Sequence, residues 1–147
     1  MVTVVSSLPG DVALSPSSLM TCGTAESLVR WIKEIVVPEA DRQLKAKPTK
    51  LLIGTSYQCR SQRSGGKMSE HATGQALDIM GLDFGTRAPL AIAFQTKGST
   101  EEAFQSAIQK GACPIFTTVL GPGADADHAD HLHVDMRVRK GDFRICQ

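Results

Sequence analysis

The sequence lacks the features that mark several classes of protein. No apolar run approaches the roughly 18 residues that a membrane-spanning helix needs, so we expect no transmembrane segment. There is no run of Lys or Arg, and 16 basic residues nearly balance 15 acidic ones, which leaves a net charge of +1. Proteins that bind nucleic acids or anionic membranes rely on a strong basic field, so we expect neither as a partner.

Leader and nucleophile motifs are missing as well. The opening residues MVTVVSSLPG contain no basic segment, and Pro9 and Gly10 interrupt the apolar run, so they do not resemble a signal peptide. We therefore expect that any export signal has been removed. The chain has no GxSxG motif, and nothing else in it indicates a serine, cysteine or threonine nucleophile.

None of the four cysteines stands in a CxxC pair, which argues against a compact thiolate zinc site or a thioredoxin-type redox pair. An even, dispersed set indicates two disulfides and hence an oxidising compartment, whereas buried free thiols are the alternative. Among the possible pairings we favour Cys22–Cys59 and Cys113–Cys146. These bonds would tie the N-terminal segment to the core and pin the C-terminus.

The chain of 147 residues corresponds to about one domain. With 41% hydrophobic and 21% charged residues, its composition argues against disorder. Residues 1–21 are rich in Ser and Pro and lack periodicity, so we expect an extended arm there. Residues 22–147 should form a single domain.

Helix signals occur in two places. The first has an apolar stripe at helical spacing, made of Leu28, Trp31, Ile32 and Ile35. Thr24 is its candidate N-cap, Pro38 should kink or end it, and a second piece over residues 39–47 should end at Pro48. The other begins with a capping box of Ser99 and Glu102 and should end at Gly111.

Strand patterns occur in four stretches, residues 50–57, 75–82, 87–95 and 131–138. The fold class predicted is α+β: a small antiparallel sheet with helices packed on one face.

Three of the four histidines lie within six residues, in the segment DADHADHLH. Side chains alternate along a strand, so His131, His133 and Asp135 should share one face while Leu132 and Val134 face the core. The imidazoles would then face a cleft, although a solvated strand face would show the same pattern.

The fourth histidine, His71, precedes Asp78 by seven residues. A regular helix would separate them by about 10 Å, and a strand by about 23 Å, so they can meet only if the chain folds back. Gly74 permits such a turn. Two ligands here and one from HLH would form a two-His, one-carboxylate site with an open position, the usual form of catalytic zinc. An ordinary paired Asp78 and a surface His71 are the alternative.

Two of these segments resemble motifs of a known enzyme group. SEHATGQALD matches the SxHxxGxAxD pattern of zinc peptidases that cut peptidoglycan stems, which include D-Ala-D-Ala carboxypeptidases, D-alanyl-D-alanine dipeptidases and penicillin-insensitive murein endopeptidases. HADHLH looks like the HxxHxH segment of the endopeptidases. From residue 22 to 147, including SYQCR and the terminal RICQ, the chain is similar to the bacterial extensin-like C-terminal domain family.

The resemblance implies that His71, Asp78 and His133 hold Zn²⁺ in a cleft on the sheet. His131 matches a family histidine thought to act as base or to stabilise the tetrahedral intermediate. Asp130 stands where the dipeptidases have a glutamate base, so it is a second candidate. We favour His131, because it should share a face with His133.

Two further residues are implied with less specific matches. Arg60 resembles the arginine that contacts the substrate carbonyl or oxyanion, and a surface arginine packed against a disulfide is the alternative. His128 corresponds to an additional active-site histidine of the endopeptidases, or is a plain loop histidine. The spacing of Asp125, Asp127 and Asp130 resembles a calcium loop but lacks its central Gly and terminal Glu.

The function implied is that of a periplasmic or secreted zinc metallopeptidase acting on peptidoglycan stem peptides or cross-links, of the DD-endopeptidase or carboxypeptidase type. A non-catalytic, zinc-stabilised wall-binding module is the alternative. The sequence does not indicate which bond is cut, and we expect a monomer.

Overall fold

The computed structural model describes residues 1–57 and 69–147. Cys59 and Arg60 lie outside the described residues, so the predicted Cys22–Cys59 bond and the predicted role of Arg60 stay predictions. Cys22 itself is exposed.

A mixed sheet of eight strands organises the described chain. The strands are β1 (Val2–Leu8), β2 (Val12–Thr21), β3 (Pro48–Thr55), β4 (Ala76–Phe84), β5 (Leu90–Ala91), β6 (Thr118–Leu120), β7 (Leu132–Asp135) and β8 (Ile145–Cys146). Their order is β1-β2-β3-β4-β7-β6-β8, and β5 pairs with β4. The α+β class is confirmed. The sheet is larger than predicted and not wholly antiparallel, because β2 runs parallel to β3 and β6 runs parallel to β8.

The strands Val2–Leu8 and Val12–Thr21 pair as the antiparallel hairpin β1–β2, within the stretch for which the sequence predicted an extended arm. Gly10 and Asp11 turn the chain with positive φ angles of 81° and 59°. The residues Pro-Gly-Asp are typical of a turn. The strand before them could not be predicted, because most side chains of β1 are exposed and its sequence shows no clear alternation. The boundary at residue 22 stays a prediction.

One helical path runs from residue 22 to residue 44. It consists of α1 (Cys22–Trp31), a π-helical stretch (Ile32–Val36), α2 (Val37–Glu39) and a second π-helical stretch (Ala40–Leu44). The expected end at Pro38 is wrong, because the helical path passes through the proline between two π-helical stretches; Val37 N–H donates to the carbonyl of Ile32, five residues back. The alternative, a kink at Pro38, stays a prediction. The N-cap is Thr21 rather than Thr24; its hydroxyl accepts from Thr24 N–H at 3.2 Å.

The remaining helix, α3 (Thr100–Ala112), begins as predicted. Ser99 Oγ accepts from Glu102 N–H at 3.1 Å. The predicted C-terminal role of Gly111 is wrong, since the helix continues through it to Ala112 and Cys113 is the C-cap. A Cβ atom on Gly111 would collide with the side chain of Ile35, so this glycine permits close packing of α3 against the first π-helical stretch.

The core joins these helices to the sheet. Trp31 is fully buried, and its indole N–H donates to the carbonyl of Ile108 in α3 at 2.8 Å. A disulfide between Cys113 and Cys146 links the end of α3 to β8, which confirms this predicted pairing. Within residues 1–57 and 69–147, no helix has the length and apolar character required to cross a bilayer. That the helices cover one face stays a prediction.

Candidate functional site

The site is built where β4 and β7 run side by side. Asp78 of β4 stands directly opposite His133 of β7 in this antiparallel pair. Leu132 and Val134 are buried in the core, so the alternation of the strand carries His133 to the other side. The predicted face shared by His133 and Asp135 is therefore present in β7.

A tight turn brings His71 to the same place. Ser69 Oγ caps a 3₁₀ turn over Glu70–Thr73 by accepting from His71 N–H at 3.2 Å. Gly74 ends the turn with a φ of 72°, and a Cβ there would lie 2.7 Å from Val2. The chain thus folds back as the spacing predicted, and His71 is only 2% exposed.

The contacts of His71 orient its ring. Ser56 offers a carbonyl, which can only accept, so His71 Nδ1 donates to it at 2.8 Å. Nε2 lies on the other side of the ring, 3.3 Å from Asp78 Oδ1. Among the described residues this buried Nε2 has no hydrogen-bond partner. Such an atom is costly to bury unless something binds it, which fits a metal-ligating position.

His133 lies between two carboxylates. Its Nδ1 is 3.0 Å from Asp78 Oδ1, and its Nε2 is 2.8 Å from Asp135 Oδ2. Burial alone would lower the pKa of His133, but the hydrogen bonds to Asp135 and Asp78 outweigh it and raise that pKa to about 9. Without a metal, the ring therefore carries both protons at neutral pH.

Asp78 responds in the opposite direction. Burial would raise its pKa, but the hydrogen bond from His133 and the neighbouring His71 ring hold the pKa of this carboxyl well below its usual range. An ionised carboxylate is thus present at the centre of the cluster.

The ligand atoms of His71, Asp78 and His133 all lie within 4.8 Å of one another. Two imidazole nitrogens and one carboxylate oxygen form a donor set that suits zinc and leaves a coordination position open. These three residues could hold a metal, and the orphaned Nε2 of His71 is the structural feature that fits it best.

His131 lies just before β7, beside this group but not within it. Its Nε2 is 3.8 Å from Asp78 Oδ1, and its Nδ1 donates to Asp130 Oδ1 at 2.9 Å. The Asp130 side chain is 78% exposed. The two candidate bases therefore form one pair, in which the imidazole is nearer the centre and the carboxylate holds it.

His128 joins the cluster from a short 3₁₀ turn, Ala126–His128. Asp125 Oδ1 accepts from the backbone N–H of His128 at 3.0 Å and binds its ring Nδ1 at 2.6 Å. The ring centroid lies 5.1 Å from that of His131 and 5.9 Å from that of His133. All four histidines therefore gather around Asp78. In the part of the chain that the structure describes, the Asp125–Asp130 segment forms no metal-binding group of its own.

Asp135 is a further member of the site, and the sequence pattern predicted no functional role for it. It is 4% exposed and accepts hydrogen bonds from His133, from the backbone N–H of Arg137 at 3.0 Å and from the Thr118 hydroxyl. The signal was present as the alternation H-x-H-x-D, but the alternation does not reveal which ring nitrogen meets which oxygen.

The fold and this cluster define the class of the protein: an α+β domain with a possible His/Asp metal-binding group. More specifically, the chain belongs to the family described as Extensin-like protein C-terminus, whose model matches residues 1–147. The expected family is thereby confirmed. No curated protein and no solved structure matches the chain.

Proposed function

We propose that this protein is a zinc metallopeptidase that hydrolyses peptide bonds in peptidoglycan stem peptides or cross-links, of the DD-endopeptidase or carboxypeptidase type. One observation carries the proposal: three ligand atoms lie within 4.8 Å of one another, and an imidazole outside that set stands 3.8 Å from its carboxylate. A purely structural metal site would need the three ligands but not the neighbouring imidazole. The likeness of SEHATGQALD and HADHLH to the zinc peptidase motifs supports the same reading.

In this proposal His71 binds through Nε2, His133 through Nδ1 and Asp78 through a carboxylate oxygen. When bound, Zn²⁺ supplies Lewis-acid polarisation of the scissile carbonyl and makes water a nucleophile near neutral pH. His133 must give up its Nδ1 proton before it can bind, whereas the contact of His71 Nδ1 with Ser56 leaves Nε2 as the nitrogen that faces Asp78.

His131 is the proposed general base. Because Asp130 accepts from Nδ1, the basic lone pair of the ring is on Nε2, the nitrogen nearer Asp78. It would accept the proton of the attacking water and return it to the leaving amine. Asp130 would orient the ring, as the aspartate of a catalytic triad does. His128 lies alongside to stabilise developing charge, and Arg60, by resemblance, would stabilise the oxyanion.

The confirmed Cys113–Cys146 disulfide supports a periplasmic or secreted location, where thiols are oxidised and peptidoglycan is present. A substrate on the cell wall also needs no basic field, in agreement with the net charge of +1.

Digestion of purified peptidoglycan tests the proposal. The zinc-loaded protein should release stem-peptide fragments detectable by mass spectrometry, and chelation or His71→Ala should abolish them. His131→Ala should slow release by about 10²–10⁴-fold, the usual contribution of a general base, while retaining zinc. Lys97→Ala, an exposed change on a loop, is the control.

If the native protein yields no fragment from several cross-link types, the enzyme proposal is wrong. Zinc binding together with co-sedimentation on intact peptidoglycan would then favour the wall-binding module. Full activity in His131→Ala would remove only that residue from its proposed role.

A further inference from the structure

A partly buried chain of hydrogen bonds extends outward from His133. Its Nε2 donates to Asp135 Oδ2, and the Thr118 hydroxyl donates to the same carboxylate. Arg139 Nη2 in turn donates to Thr118 Oγ1 at 2.6 Å. Since a guanidinium can only donate, Thr118 must use a lone pair for Arg139, which leaves its hydrogen for Asp135.

We infer that Asp135 is a positioning residue: held by Thr118, it fixes the His133 ring with Nδ1 toward Asp78 and thereby sets the affinity of the metal site. The inference rests on the proposed metal site, and it deepens that site by adding residues that would never touch the metal.

The surroundings of Asp135 explain why a carboxylate is needed. Oδ1 accepts from the backbone N–H of Arg137, and Oδ2 accepts from His133. An amide has one oxygen, so Asp135→Asn would place an N–H group against one of these two donors. Either the backbone contact or the His133 contact would then be lost.

Burial sets this contact apart from the contact that Asp130 makes with His131. The Asp135 side chain is 6% exposed, whereas that of Asp130, which holds His131, is 78% exposed. Water can replace Asp130 as a partner but cannot reach Asp135 in the same way. Carboxylates that bind the outer nitrogen of a metal-ligating histidine fix its orientation and strengthen it as a ligand.

Zinc affinity, measured by competition with a chromophoric chelator, tests the inference. Asp135→Asn should raise the dissociation constant by about 10–100-fold, as is typical when such a partner is lost. Thr118→Val, which keeps the size of the side chain, should weaken binding in the same direction but less. Asp130→Asn is the matched control: it makes the same exchange at a carboxylate that binds a histidine outside the ligand set, and zinc affinity should be unchanged.

Crystal structures of metal-free wild type and metal-free Asp135→Asn provide a second test. In wild type the His133 Nδ1 to Asp78 Oδ1 contact should be present, and in Asp135→Asn the ring should have turned away from Asp78. Circular dichroism checks that each variant folds. If Asp135→Asn does not fold, Thr118→Val takes its place in both measurements.

The zinc measurements and the crystal structures together distinguish an error in the role of Asp135 from an error in the proposed function. If wild type binds no zinc, the proposed function fails, and the ring position in metal-free crystals still decides the role of Asp135. The inference is overturned if Asp135→Asn binds zinc as tightly as wild type and the ring keeps its place.

Discussion

At the scale of single residues, the site depends on which nitrogen of each imidazole is engaged. Each histidine has one ring nitrogen bound by an acceptor: Ser56 for His71, Asp125 for His128, Asp130 for His131 and Asp135 for His133. The other nitrogen of His71, His131 and His133 lies within 3.8 Å of Asp78 Oδ1. The cluster is therefore oriented before any metal binds, which reduces the cost of assembling it.

One proton on His133 links stability, pH and metal binding. The pKa of His133 is raised from 6.5 to about 9, so the folded state holds this proton more tightly than the unfolded state. Its contribution to stability is complete below about pH 6.5 and is lost as the pH rises through about 9. The melting temperature of the metal-free protein should therefore fall between pH 6.5 and pH 9.5, by roughly 3–4 °C for each kcal/mol lost.

Zinc binding should change in the opposite direction over the same range. The proton on Nδ1 must leave before zinc can bind, so apparent affinity should rise about tenfold per pH unit up to about pH 9. Thermal melts in the presence of a chelator, across the pH range, measure the fall in melting temperature. Competition for zinc with a chelator across the same range measures the rise in affinity. His133→Gln removes the titrating group and should flatten the first trend; a persistent slope in that variant would assign it to another residue.

That His71, Asp78 and His133 lie together could be predicted from the sequence, but their individual contacts could not. The distance argument required a fold-back between His71 and Asp78, and alternation placed His133 and Asp135 on one face. The partners of the ring nitrogens depend on side-chain rotamers and on Ser56, which is remote in sequence from its histidine. No local pattern encodes such a contact.

At the scale of elements, β4 organises the sheet. It pairs with β3 along one edge, and with β7 and β5 along the other. Its first half carries Asp78 beside His133, and its second half meets β5 at Gly81 and Leu82. Sequence periodicity predicted β4 well, because the strand is long and largely buried. For β5 it predicted nine residues, 87–95, whereas the strand has two.

Gly81 should be the least replaceable position of this strand. A Cβ added there would collide with the backbone carbonyl of Leu90 and would lie 3.2 Å from Ala91 Cα. Backbone cannot yield as a flexible side chain can, so β5 would have to move away. Gly81→Ala should lower the free energy of unfolding by about 1–3 kcal/mol, the range of overpacking, measured by denaturant titration.

Gly85→Ala is the matched control, one residue beyond the end of β4. Its added Cβ would meet only Thr49 Cγ2, at 3.6 Å, which is ordinary contact. That variant should stay within about 0.5 kcal/mol of wild type. Equal stability of the two variants would show that β5 is not held closely against β4.

At the scale of the whole molecule, the sequence predicted the α+β class and a disulfide near its C-terminus, and both are present. It underestimated the sheet because β1, β6 and β8 are short or largely exposed, so they carry weak patterns. The final residues close the fold: Gln147 N–H donates to Val119, and the Gln147 carbonyl accepts from Gly121 N–H at 3.0 Å.

The Cys113–Cys146 bond encloses the segment that carries three of the four histidines. It joins residues 33 apart in sequence, and a loop of that length corresponds to about 3–4 kcal/mol of stabilisation in the chain-entropy view. A double variant, Cys113→Ser with Cys146→Ser, should therefore melt about 10 °C below wild type by calorimetry. Saturating zinc should restore part of the loss, because zinc bound to the assembled site favours the folded state.

Adding reductant to the double variant then tests the other predicted bond: a further fall in melting temperature supports Cys22–Cys59, and an unchanged melting temperature contradicts it. A double variant as stable as wild type would mean that β8 is held by its pairing with β6 alone.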